Sequence, residues 1–253
     1  MQTDQPRDGL SLWDRISRAR VVDLSHLLHP AMPRWPGDPP LEFAEVAQIQ
    51  RDGYYLRRFS LGEHSGTHLN APISFYEGGL GVDSYPASSL VAPAVVLDAR
   101  AAAAANTDYA LSPADVLAWE GSHGVIPSGS LALLYTGWQA RWDRPQEVLG
   151  LDDQGVPHFP GFSLAAARFL LAERAVAGLG TDTPGVEPGQ DAGFAVNRLV
   201  LEQPRLVLAQ PRLVLECLAN LDQLPPTGAV LIIGRLRLQG GSGSPASVLA
   251  LVP

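Results

Sequence analysis

The chain has 253 residues, 46% hydrophobic and 17% charged, which is enough apolar mass for a buried core and inconsistent with intrinsic disorder. Its formal net charge is -8 with no basic run, so it lacks the electrostatic footprint of a nucleic-acid binder. No stretch is long and apolar enough to span a bilayer, the first twenty residues lack an apolar signal segment, and a single cysteine rules out an internal disulfide framework; the expected compartment is a reducing cytoplasm.

Residues 1–20 read as a polar arm or short peripheral helix, and residues 21–253 as one domain. Residues 21–25 read as a first strand. Five prolines with Gly37 and Asp38 make residues 30–40 an irregular surface loop, in which Trp35 either walls a pocket or packs back on the core. Residues 41–49 and 54–61 read as strands joined by a turn at Asp52-Gly53.

His64-Ser65-Gly66-Thr67-His68-Leu69-Asn70-Ala71-Pro72 is the densest cluster of chemistry, holding two of the six histidines. Gly66, Thr67 and Pro72 oppose a helix. In an extended segment His64, His68 and Asn70 share one face. The two histidines would then lie about 13 Å apart, so the chain must bend near Ser65-Gly66 for them to meet. Such a bend makes a candidate metal cradle, which needs at least one further donor.

Further on, residues 91–97 read as an apolar strand and 101–105 as a low-complexity connection. Ser112-Pro113-Ala114-Asp115 starts a helix that runs to about Glu120. Residues 130–136 read as a buried strand. Ser163 caps a second helix over 164–177, followed by a strand end at 179–182 and a polar turn at 183–189. Arg-Leu-Val-Leu recurs at 198, 205 and 212. Proline after the first two units forbids one continuous helix, and the repeat reads as a tandem duplication around a strand or strand pair. Residues 230–238 and 248–252 supply closing strands, with a flexible glycine-serine loop at 240–244 between them. Cys217, in an apolar run, reads as an inert buried thiol. The pattern is that of an α/β or α+β domain. No dinucleotide fingerprint, Walker sequence or nucleophile elbow is present.

Asp23-Leu24-Ser25-His26, Met32-Pro33, Trp35-Pro36-Gly37-Asp38-Pro39, the histidine cradle, Trp119-Glu120, Thr136-Gly137-Trp138, Phe159-Pro160-Gly161-Phe162-Ser163, Gly180-Thr181-Asp182-Thr183-Pro184 and the run from Leu215 to Leu221 occur in that order. Together they resemble the bacterial cyclase family, which includes kynurenine formamidases and isatin hydrolases. The resemblance spans residues 21–252. It implies an α/β, single-domain swivelling β/α/β fold with a mixed, barrel-like sheet and a few flanking helices. The family pattern is His-x-Gly-Thr-His-x-Asp-x-Pro-x-His, in which two histidines and the aspartate hold a metal and the last histidine transfers protons. A later histidine and a glutamate can complete a second metal site. His64, His68, Gly66, Thr67, Pro72 and Glu216 match. Asn70 replaces the aspartate, Ser74 the proton-transfer histidine, and Asn197 or Pro204 the later histidine.

Asn70 keeps a carbonyl oxygen but brings no charge, which disfavours a two-metal centre. What remains is one zinc or manganese ion on His64, His68 and Asn70, or none. Ser74 cannot act as a base near neutral pH, and His158, His26, Glu63 and Tyr76 are candidate replacements. The resemblance thus implies a catalytic set of His64, His68, Ser74 and Glu216, with Trp35, Asn70, Tyr76, Asp182 and His158 toward substrate. Three functions follow: a hydrolase cleaving an amide or lactam of a small aromatic substrate with metal-activated water; a metal-independent cyclase, lyase or isomerase of specialised metabolism; or a non-catalytic binding protein. The expected partners are a small molecule and further copies of this chain, in a homodimer or higher homo-oligomer.

Overall fold

Leu131–Tyr135 is buried at all five positions, which a strand achieves only with structure on both faces. The computed structural model describes residue 9 and residues 11–202 and 211–253. In chain order these carry α1 (Leu12–Arg18), β1 (Arg20–Asp23), β2 (Glu42–Ala47), α2 (Ile49–Asp52), β3 (Leu56–Ser60), β4 (His68–Asn70), β5 (Val91–Asp98), α3 (Arg100–Ala105), β6 (Ala110–Leu111), α4 (Pro113–His123), β7 (Leu131–Tyr135), α5 (Pro145–Leu149), β8 (Gly161–Phe162), α6 (Leu164–Glu173), β9 (Gly178–Thr181), α7 (Ala195–Leu201), β10 (Leu213–Glu216), β11 (Ala229–Arg235) and β12 (Gly243–Val252).

The main sheet runs β1-β12-β11-β5-β7-β9-β10-β4, and a further pairing of β4 with β12 closes seven of its strands into a barrel. Strands β5, β7, β9 and β10 are parallel, while β4, β12 and β11 complete the ring antiparallel. Closure leaves no free edge in the ring. Side-chain alternation divides the core. Leu131 and Leu133 of β7 point into the barrel with Leu69, Leu215 and Leu231. Ala132 and Leu134 face outward, against Val116 of α4, Leu170 of α6 and Val196 of α7. The expected mixed, barrel-like sheet with flanking helices is the architecture found.

Several local expectations needed correction. The helix begun at Ser163 stops at Glu173, short of residue 177. Arg174 is drawn to Glu120, through Nε at 2.6 Å and Nη2 at 2.9 Å, and Ala175 turns left-handed. Residues 100–105 form a helix of their own. The copies of Arg-Leu-Val-Leu, expected around a strand or strand pair, do not share one structure among the described residues. The first copy lies in α7 and the third enters β10, while the copy at 205 falls outside the described residues. Among the described residues no helix is long and apolar enough to cross a membrane.

Candidate active site

Strands β4 and β10 are antiparallel, with His68 opposite Glu216 and Asn70 opposite Val214. His68 and Asn70, two residues apart, leave the same face of β4, and Leu69 between them is buried in the barrel. Gly66 has φ +64°, and this left-handed turn brings His64 back over the strand. His64 Nδ1 lies 2.8 Å from Asn70 Oδ1, and its ring sits 5.3 Å from that of His68, nearly perpendicular to it. The bend expected at Ser65-Gly66 is therefore present and brings all three side chains together.

The glycine-serine segment at 240–244 is an ordered wall of the site, where composition suggested a flexible loop. Gly243 opens β12 so close to His64 that a Cβ would come within 2.6 Å of the imidazole. Ser242 donates its N–H and hydroxyl to Glu63, at 2.8 and 2.5 Å, and its Oγ is 3.0 Å from His64 Nε2.

Two further groups complete the floor. Glu187 comes from the turn after β9, and Asn197 from the first turn of α7. Asn197 donates its backbone N–H to Glu187 Oε2 at 2.8 Å. Its Nδ2 donates to Glu187 Oε1 at 2.9 Å and to Glu216 Oε1 at 2.8 Å. Because ionised carboxylates only accept, the Asn197 amide is oriented, and its Oδ1 takes a 3.0 Å bond from Asn70 Nδ2. Asn70 Oδ1 is then left to accept from His64 Nδ1. His68 Nδ1 donates to the Gly66 carbonyl at 2.9 Å, and its Nε2 faces Glu216 Oε2 at 3.0 Å.

Burial shapes the ionisation of these groups. Burial and the neighbouring His68 lower the pKa of His64. Burial also opposes charge on His68, but its hydrogen bond to Glu216 and that carboxylate's charge outweigh it, and its pKa is raised. Glu216 is correspondingly held down, its bond to His68 overcoming burial. Among the described residues no cation stands beside Glu187. Burial, and then repulsion from Glu216, push it up to about 7.

These groups form the floor of a cavity of about 250 Å³. Its walls are aromatic. Trp35 meets Phe159 edge-on at 6.3 Å and Phe194 at 6.3 Å, and Phe194 meets Phe75 at 5.7 Å. Of the residues singled out from sequence, Trp35, His64, His68, Asn70, Ser74 and Glu216 line this cavity. The Ser74 hydroxyl donates to the Ser242 carbonyl at 2.6 Å. The other three proposed substrate contacts do not line it. Asp182 is buried just after β9, accepting from the Thr136 N–H and hydroxyl and the Gln139 N–H; burial lifts its pKa to about 6 against those bonds. Tyr76 donates to the Arg198 carbonyl, and its neighbour Phe75 faces the cavity instead. His158 is held by Asp108 at 2.9 Å, away from the lining. His26 stacks on Trp142 at 3.9 Å, also off the lining, with burial lowering its pKa to about 4. Cys217 is buried and its thiol is pushed far up by that burial, as an inert thiol should be. Sequence reasoning missed Glu187, whose signal was an acid in the turn after a parallel strand, where α/β sheets bind ligands.

The donor set does not fit a resident divalent cation. His68 has Nδ1 tied to the Gly66 carbonyl and Nε2 to Glu216, so neither ring nitrogen stands open to an ion. Both nitrogens of His64 face hydrogen-bond partners, and amide hydrogens of Asn197 reach both carboxylates. Among the described residues no three His, Cys, Asp or Glu side chains converge where an ion could sit.

Comparison with known proteins agrees with the fold. Residues 22–188 match the family described as "Putative cyclase". Isatin hydrolase of Roseibium aggregatum is 34% identical over 271 aligned residues, covering 100% of this chain and 99% of that protein. Kynurenine formamidase of Erythrobacter litoralis is 26% identical over 195, covering 76% and 78%. The crystal structure of an isatin hydrolase bound to the product analogue thioisatinate superposes with a TM-score of 0.84 at 32% identity, covering 94% of each chain.

Proposed function

The chain belongs to the cyclase family, and from that footing we propose that it hydrolyses the C–N bond of an amide or lactam in a small aromatic substrate. One observation carries the reading: an aromatic-walled cavity whose floor holds a carboxyl lifted to about pH 7 beside a buried imidazole–carboxylate pair. Similarity to an isatin hydrolase and a kynurenine formamidase supports the bond class, since both relatives are hydrolases by name.

Trp35, Phe159 and Phe194 sandwich the aromatic ring and bring the carbonyl to the floor. Glu187 takes a proton from water as the water oxygen bonds to the carbonyl carbon, and a carboxyl poised near neutrality is suited to that work. His68 spends its ring nitrogens on the Gly66 carbonyl and Glu216, and so keeps the floor in place beneath the carbonyl. Collapse breaks the C–N bond, and Glu187 returns its proton to the departing nitrogen. His64 and Glu216 are positioning groups here, and Ser74 fixes the Ser242 segment. The same acid–base pair could run a cyclisation or isomerisation without water, a reading favoured by the carboxamides at Asn70 and Asn197.

The test is incubation with isatin and a panel of aryl formamides and lactams in H₂¹⁸O, read by mass spectrometry. One ¹⁸O in a ring-opened or deformylated product is expected; conversion without ¹⁸O would move the assignment to isomerisation. The hairpin β2–β3 stands apart from the barrel as its own two-stranded sheet, with Phe43, Val46, Tyr54, Tyr55, Leu56 and Phe59 exposed. Such a hairpin is marginal alone, and a second copy of the chain covers it; light scattering that gives a monomer mass would refute this.

A further inference from the structure

We infer that the Asn70–Asn197 carboxamide pair does the structural work of a metal ion, holding His64 and the carboxylates of Glu187 and Glu216 in one assembly that needs no resident cation. This goes beyond the hydrolase reading, which requires a floor of acid–base groups and is silent on what binds them together.

A cation in such a place has to hold separate side chains together and neutralise buried carboxylates. The carboxamides do the first, and His68 pairs with one of the two carboxylates while the other takes neutral N–H donors. A continuous chain of hydrogen bonds runs from His64 through Asn70 and Asn197 to both carboxylates, with every link between 2.8 and 3.0 Å. Its direction is fixed from the carboxylate end. Reversing Asn197 would turn its oxygen on two carboxylates, and reversing Asn70 would set two oxygens face to face.

Hydrogen bonding also closes without an ion. The Gly66 carbonyl can only accept, so His68 carries its proton on Nδ1, and its Nε2 faces the Glu216 carboxylate. An imidazolium there makes a neutral pair. Glu187, lacking a cation, takes two N–H donors from Asn197. A divalent ion entering this floor would meet amide hydrogens beside each carboxylate and would have to break bonds to both. Asn70, Asn197, His68, Glu187 and Glu216 are all nearly fully buried, so water offers no substitute partners.

The test uses the full chain purified without added metal. Elemental analysis is expected to find less than about one-tenth of an equivalent of zinc, manganese, iron or nickel per chain. The Tm should be unmoved by EDTA or by millimolar Mn²⁺. The electron paramagnetic resonance signal of added Mn²⁺ should match that in buffer alone. About one equivalent of metal, removed by EDTA with a fall in Tm, would overturn the inference, as would a Mn²⁺ signal lost in the wild type and restored by His68→Ala. Asn70→Asp supplies a second reading. It sets a carboxylate against the Asn197 oxygen, so its Tm should fall and Mn²⁺ should recover part of the loss. A variant that keeps the wild-type Tm without metal would show that the amide chain holds nothing. None of these readouts needs turnover, so they stand or fall apart from the hydrolase assignment.

Discussion

Replacing Glu187 with glutamine should change how stability depends on pH. Glu187 is 3% exposed, and its carboxyl is lifted from the ordinary 4.5 to about 7 by burial and by Glu216. An acid with a raised folded pKa binds more protons folded than unfolded between those values, so folding weakens as pH rises through that window. Below pH 4.5 both states are protonated, and above 7 both are ionised. At about 1.4 kcal/mol per tenfold change in ionisation, the full window is worth about 3 kcal/mol. Glu187→Gln cannot ionise and escapes that loss. It also turns one amide hydrogen toward a donor, either Asn197 N or Nδ2, at a cost of about 1–3 kcal/mol. The variant should be the less stable protein at pH 5 and should gain on the wild type by about 3 kcal/mol by pH 8. Asp182, raised to about 6, and His26, lowered to about 4, titrate in both proteins and drop out of the difference. Urea unfolding at half-unit pH steps measures it. A difference that stays flat from pH 5 to 8 would refute the placement of Glu187 as a buried carboxyl without a cation.

Trp35→Ala removes the ring that joins Phe159 and Phe194 at the cavity wall; KM should rise about tenfold with kcat and Tm little changed, and a fall in kcat alone would count against a wall role. Gly243→Ala drives a methyl into the His64 ring; kcat/KM should fall by about a hundredfold, with the spectroscopic signature of a displaced His64 imidazole by NMR, and full activity would refute the close approach. Glu120→Gln breaks the fork that Arg174 makes from the end of α6, and it also weakens the Ile126 N–H bond at 3.0 Å; about 1–3 kcal/mol should be lost at pH 7. Arg174 holds the Glu120 carboxyl below its ordinary range, so this gap should close as the pH falls through that lowered value, and a gap independent of pH would point to packing alone.

Local chemistry was legible in the sequence where a residue's role depends on its immediate neighbours. Ser112 and Asp115 form the capping box their spacing predicts, and Gly66 bends the cradle because no other nearby residue tolerates that turn as readily. The Arg-Leu-Val-Leu repeat marks the limit. The same four residues are helical at Arg198–Leu201 and enter a strand at Arg212–Leu215, so nothing within them selects either form. What selects is the partner: Val200 and Leu201 pack outside the barrel among the helices, whereas Leu213 and Leu215 take places in the ring between β9 and β4. The site follows the same rule. Asn70 could be recognised as a change of chemistry from its position in the cradle, because that change is local. Its meaning could not, because it rests on Asn197, 127 residues away, and on two carboxylates delivered by a turn and a different strand. Asp182 misled for the converse reason. It stands in a conspicuous segment, yet Thr136 and Gln139 take up its oxygens away from the cavity lining. A polar residue's function here is decided by which donors reach it, and those donors are set by barrel closure, which sequence neighbours do not encode.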